Sequence, residues 1–100
     1  AVLCSFSTEA QLGELFEVLG GQLTCSVFSA EPAQISPVLQ NTLSQKAGRV
    51  ILNGVPTGVS VDVAMHHGGP YPASSDVRFS AVGPDSILRF TKEVCWQFHH

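Results

Sequence analysis

The chain has 100 residues, 44% hydrophobic and 13% charged, with a net charge of −3, which is the size of one domain with an interior-like composition. Its few cations, Lys46, Arg49, Arg78, Arg89 and Lys92, are scattered, which excludes the basic stripe that grips nucleic acid, and no apolar run approaches the ~20 residues of a membrane span. Globular chains average about 25% charged residues, so the shortfall implies that part of this surface is covered by further polypeptide, a second subunit, or both.

Val2-Leu3-Cys4-Ser5-Phe6 is a short apolar run that reads as a buried strand. Thr8 and Gln11 then stand at capping-box spacing, and Leu12, Leu15, Phe16 and Leu19 follow at i, i+3, i+4 and i+7, the stripe of an amphipathic helix. Gly20-Gly21 closes it. Residues 23–28 read as a second strand. Ile35, Val38, Leu39, Thr42 and Leu43 form another helical stripe, with Pro37 in its first position after Ser36 and Gly48 as its expected end. Residues 49–53 read as a third strand, ending at Asn53-Gly54.

Strands separated by amphipathic helices predict a β-α-β-α-β unit with a parallel sheet, an α/β fold, over residues 1–54. The rest is punctuated differently. Residues 55–82 are rich in Gly, Pro and Ser and read as one long ordered loop, although Val59, Val61, Val63 and Met65 alternate as a strand would. Ordered loops of that length are usually functional. Gly83-Pro84-Asp85 opens a short helix with Ile87, Leu88 and Phe90 on its face. The apolar tail 94–98 reads as a terminal strand that has to find a partner elsewhere.

Within this layout, Ala47-Gly48-Arg49-Val50-Ile51-Leu52-Asn53-Gly54-Val55-Pro56-Thr57-Gly58-Val59 and Met65-His66-His67-Gly68-Gly69-Pro70-Tyr71-Pro72-Ala73 are long and compositionally unusual strings. They resemble the C-terminal region of aldehyde dehydrogenases, in the branch acting with NADP on α-ketoglutaric semialdehyde and long-chain fatty aldehydes. The resemblance runs from Val2 to about Gln97. It implies that residues 1–98 are part of a catalytic domain: 1–54 half of an α/β sheet, 55–82 the loop under the aldehyde pocket, and 83–98 a helix and an oligomerisation strand. It also implies a homo-oligomer, paired through residues 94–98, or association with the remainder of the enzyme.

Aldehyde oxidation of this kind needs an activated thiolate, a carboxylate that activates water, and amides that hold the oxyanion. The resemblance places all of these upstream, together with the groups that hold NADP or NAD, so no catalytic residue is expected in this chain. Gly21-Gln22-Leu23-Thr24-Cys25 superficially suggests a nucleophile motif but carries one residue too many. Cys25, like Cys4 and Cys95, reads as a reduced strand thiol, which also suggests a cytoplasmic setting.

The candidate pocket residues are His67 and its neighbour His66. A histidine before Gly68-Gly69-Pro70 can donate, accept or carry charge near neutral pH; the competing reading is a loop histidine that merely holds the turn. Asn53, Pro56, Gly68, Gly69 and Pro70 read as shaping the loop, with Thr57, Asp62 and Asp76 as further structural residues. His66-His67 and His99-His100 have no recognised metal-ligand spacing, and residues 99–100 read as a tag remnant. The expected function is that of a dehydrogenase fragment, inactive alone. The alternative is a free-standing module that dimerises through its last strand, and a weaker one is a small enzyme using His67.

Overall fold

In a computed structural model, which describes residues 1–58 and 62–100, the chain folds as α1 (Glu9–Leu19), β1 (Gln22–Val27), α2 (Pro37–Lys46) and β2 (Ala47–Leu52). Two 3-10 turns, Pro32–Gln34 and Pro84–Phe90, complete the regular structure of the described residues. β1 and β2 pair in parallel, with Gln22 opposite Ala47 and Val27 opposite Leu52. The parallel pair with its crossover helix α2 is the α/β architecture expected from the alternating pattern.

The helix starts follow from local chemistry. The Thr8 side chain accepts from the Gln11 N–H, while the Gln11 side chain accepts from the Thr8 N–H, closing the capping box. α1 ends at Gly20, whose φ of 71° is one that glycine adopts without steric cost. Ser36 caps α2 by accepting from the Leu39 N–H at 3.1 Å, and Pro37 occupies the first helical position. α1 packs on α2. The pair is tied by a hydrogen bond from Ser36 Oγ to Glu9 and by the ion pair between Lys46 and Glu17 at 3.1 Å.

The core is small. Phe16, Leu43 and Ala47 are the buried apolar residues of the described chain. They lie on α1, on α2 and at the start of β2, with α2 packed against both of the others.

Three sequence expectations are corrected. Residues 2–6 form no strand, and Val2 and Leu3 are 92% and 98% exposed. An apolar run makes a strand only where a sheet edge accepts its backbone bonds, and among the described residues β1 and β2 pair with each other alone. The sheet therefore has two strands here rather than three. Gly48 does not close α2: the helix passes directly into β2 at Ala47, and Gly48 lies inside the strand. The short helix expected after Gly83 is present as a 3-10 helix over Pro84–Phe90, but its expected apolar face is not packed: Ile87, Leu88 and Phe90 are exposed.

The tail 94–98 is likewise exposed and forms no strand with the described residues. Trp96 and Phe98 stack with ring centroids 6.3 Å apart, close to the ~6.6 Å spacing of alternate side chains on one face of an extended chain. With the apolar ends projecting, the radius of gyration is 17.6 Å, against about 13 Å for a compact domain of this length. The alternating stretch from Val59 lies partly outside the described residues. Among those described, no helix is long and apolar enough to cross a membrane.

Candidate functional site

The long loop is fastened at both ends of the two-stranded sheet. At the carboxyl ends, Asn53 takes a positive φ of 53°, and its N–H donates to the Val27 carbonyl at 2.8 Å. Its side-chain amide accepts from the Ser29 N–H at 2.8 Å and donates to the Ser29 carbonyl at 2.9 Å. One side chain thus joins the segments that follow β1 and β2.

At the amino ends the joint is made of backbone alone. A Cβ built on Gly48 would collide with the Gly68 carbonyl, one on Gly21 with the Pro70 carbonyl, and one on Gly69 with the Gln22 carbonyl. The Gly21 N–H also donates to the Tyr71 carbonyl at 3.2 Å. Residues 68–72 therefore lie on the first residues of β1 and β2 with no side chain between them. The loop glycines Gly68 and Gly69 were legible as turn residues. Their counterparts Gly21 and Gly48 were read only as helix stops, because the surface they must fit is far away in sequence.

His67 immediately precedes the seam and is held by residues 80 and 81. The His67 N–H donates to Ser80 Oγ at 3.0 Å, and the His67 carbonyl accepts from the Ala81 N–H at 2.9 Å. Ser74 Oγ donates to the Gly69 carbonyl at 2.6 Å, and the Ala73 N–H to the Pro70 carbonyl at 2.8 Å, folding the following turn back on itself.

His67 lines two neighbouring hollows. One, of about 320 Å³, is shared with Leu23, Ala73, Phe79 and Ser80. The other is a shallower cleft of about 550 Å³ shared with Gln22, Thr24, Arg49 and Pro56. Nδ1 of His67 is buried without a hydrogen-bond partner among the described residues, as are Nε of Arg49 and Oγ of Ser26. Arg49 uses its other end, donating from Nη1 to the Gly58 carbonyl at 2.7 Å.

His66 does not join its neighbour. Its imidazole lies against Gly68 and lines a separate hollow of about 150 Å³ with Met65 and Val82. The site is therefore built on His67, with Arg49 and Pro56 across the cleft, while Asn53 works at the opposite ends of the strands. Arg49 and Ser80 escaped the sequence reading. An arginine inside an otherwise apolar strand was the available signal for Arg49; a serine in a Ser-rich loop gave none.

The acidic loop residues are turn formers. Asp62 accepts from the N–H groups of Ala64 at 2.7 Å and Met65 at 3.0 Å. Asp76 accepts from Arg78 through its guanidinium at 2.6 Å and its backbone N–H at 3.0 Å. Those bonds hold the Asp76 carboxyl at about 2, below the ordinary 3.8.

The thiols divide differently from expectation. Burial pushes the Cys25 thiol up, the reverse of the activation a nucleophile needs. Cys4 and Cys95, expected inside strands, are exposed because the segments that carry them have no strand neighbour. Among the described residues no group of three or more His, Cys, Asp or Glu could hold a metal ion.

A dinucleotide does not fit the described residues. Pyrophosphate sites use a helix N-terminus with free amides after a glycine-rich turn, at the carboxyl ends of parallel strands. Here Thr8 and Gln11 cap α1, and Ser36 caps α2 with the Glu9 carboxylate already beside it. The glycine seam lies at the amino ends of the strands instead.

The described residues thus form a two-stranded parallel α/β unit with a long loop sealed across its strand starts. No family model matches the chain. It is 45% identical over 98 residues to the alpha-ketoglutaric semialdehyde dehydrogenase of Acinetobacter baylyi, a match covering 97% of the chain and 19% of that protein. It is 42% identical over 88 residues to alpha-ketoglutaric semialdehyde dehydrogenase 2 of Azospirillum brasilense, covering 87% of the chain and 17% of that protein. The chain belongs to the aldehyde dehydrogenase family, and it spans about one-fifth of the length of these relatives.

Proposed function

We propose that the chain is the C-terminal part of the catalytic domain of a cytoplasmic NAD(P)-dependent aldehyde dehydrogenase that oxidises α-ketoglutaric semialdehyde or a similar aldehyde to the carboxylate. The observation that carries this is the 45% identity across nearly the whole chain to a semialdehyde dehydrogenase about five times as long. In this reading residues 55–82 run under the aldehyde pocket, and His67 stands at the pocket wall. The nucleophile, the water-activating carboxylate and the cofactor-holding groups belong to the other four-fifths, so the chain alone turns nothing over. Residues 94–98 pair with a partner subunit.

Two features support the reading. The apolar exposure of Val2, Leu3, Trp96 and Phe98 at the two ends of the chain is what a segment excised from a larger fold leaves uncovered. Around Gly68 and Gly69 the loop is also seated backbone on backbone, the kind of rigid support a pocket wall needs.

Reconstitution tests it. Co-expressing the chain with the remaining four-fifths of the Acinetobacter baylyi relative should restore aldehyde-dependent NADPH or NADH formation, and the chain alone should give none. Turnover by the homogeneous chain alone, or a co-purifying but inactive pair, would sink the proposal.

A further inference from the structure

We propose that Ser80 is the positioning residue for His67, its hydroxyl fixing where the imidazole stands between the two hollows. The inference rests on His67 being a pocket residue and names the group that puts it there.

Among the described residues Ser80 is the one buried polar residue, 7% exposed. Its hydroxyl is fully committed: Oγ donates to the Val82 carbonyl at 2.8 Å and accepts from the N–H groups of His67 at 3.0 Å and Val82 at 3.3 Å. With its single proton engaged by Val82, the oxygen faces His67 as an acceptor only. The neighbouring Ala81 N–H holds the His67 carbonyl at 2.9 Å. Both backbone polar groups of His67 are thus held by residues 80 and 81.

The side chain has no such hold of its own. Nδ1 of His67 is buried and unpartnered, so the ring takes its direction from the backbone and from packing. Gly68 and Gly69 follow immediately, and glycine offers little torsional resistance. Without the Ser80 bond, the His67 N–H loses its partner and the Ala81 bond to the carbonyl is the one backbone bond left on the residue.

Ser80→Ala removes the oxygen and leaves the volume nearly unchanged. Nuclear magnetic resonance of the full chain reads the result, with His67 assigned through His67→Gln and the imidazoles of His99 and His100 as internal references. Exchange of the His67 amide should accelerate about tenfold or more, and its imidazole 15N and 13C signals should move. The Asn53 amide, bonded to Val27 at the far end of the sheet, should keep its wild-type exchange rate. A folded Ser80→Ala chain with wild-type His67 signals overturns the proposal. If that variant fails to fold, Ser80→Cys keeps the shape with a weaker donor and acceptor: displaced His67 signals support the proposal, and wild-type ones overturn it. None of these readouts uses activity, so a failed reconstitution with displaced His67 signals condemns the proposed function and spares the role of Ser80.

Discussion

The Asn53 amide grips the backbone of Ser29 from both sides, accepting from its N–H at 2.8 Å and donating to its carbonyl at 2.9 Å. Only a side-chain amide offers both groups at that spacing, and asparagine tolerates the φ of 53° that the turn requires. Asn53→Ala should lower stability by about 1–3 kcal/mol, the lost bonds and the strained φ acting together. Asn53→Asp keeps the acceptor, loses the donor, and should fall between. Urea unfolding of the three chains checks the order.

Two glycines, one at the seam and one outside it, should respond to alanine with opposite sign. Gly48→Ala drives a methyl into the Gly68 carbonyl and should cost about 1–3 kcal/mol or more, because backbone has to move to admit it. Gly13, inside α1, has nothing within 4 Å of the added carbon, so Gly13→Ala should stabilise by about 0.5–1 kcal/mol through helix propensity. Thermal melts of the two variants should shift in opposite directions.

Asp76 sets an acid limb. Its folded value of about 2 lies below the ordinary 3.8, through the side-chain bond from Arg78 first and the backbone bond second. A depressed carboxylate contributes its stability above the unfolded value and loses it as the pH falls through the folded one. The Asp76–Arg78 contribution should therefore be complete above about pH 4 and fade toward about pH 2. The Asp76 carboxyl carbon should titrate near 2, and Arg78→Gln should return it toward 3.8. A midpoint that ignores Arg78→Gln would show the bond to be ineffective in solution.

The thiols report on the tail. Cys4 and Cys95 are exposed, whereas burial raises the Cys25 thiol. A disulfide-exchange reagent at pH 8 should label two thiols quickly and Cys25 only slowly. If residues 94–98 pair with a second copy, raising the chain concentration should slow Cys95 and leave Cys4 unchanged. Deleting residues 94–98 should lower the association measured by sedimentation; equal assembly with and without the tail would discard the pairing.

What could be read from the sequence was whatever local chemistry decides. Thr8 and Gln11 announced the start of α1, and Ser36-Pro37 that of α2, because a cap is settled within one helical turn. The parallel α/β class followed from apolar strands alternating with amphipathic helices over residues 1–54, of which the strands around α2 are the ones that form. Residues 94–98 were legible as apolar and without a local partner, whereas residues 2–6 were legible as apolar but not as unpaired, since a strand is completed by a neighbour that need not be near in sequence. Gly48 was misread because its reason for being glycine is the Gly68 carbonyl, twenty positions on. His67 stood out through its place before two glycines and through family resemblance. Ser80 did not, since a serine that anchors a peptide looks like any other loop serine until the two arms meet.

The glycine seam also bears on how the loop moves. Side chains that separate packed segments act as cushions: they change rotamer and absorb small shifts. Between residues 68–72 and the first residues of β1 and β2 there is no cushion. A slide of either strand along its axis is handed to the peptide after His67 nearly undiminished, so distortion of the sheet and displacement of the imidazole become a single mechanical event.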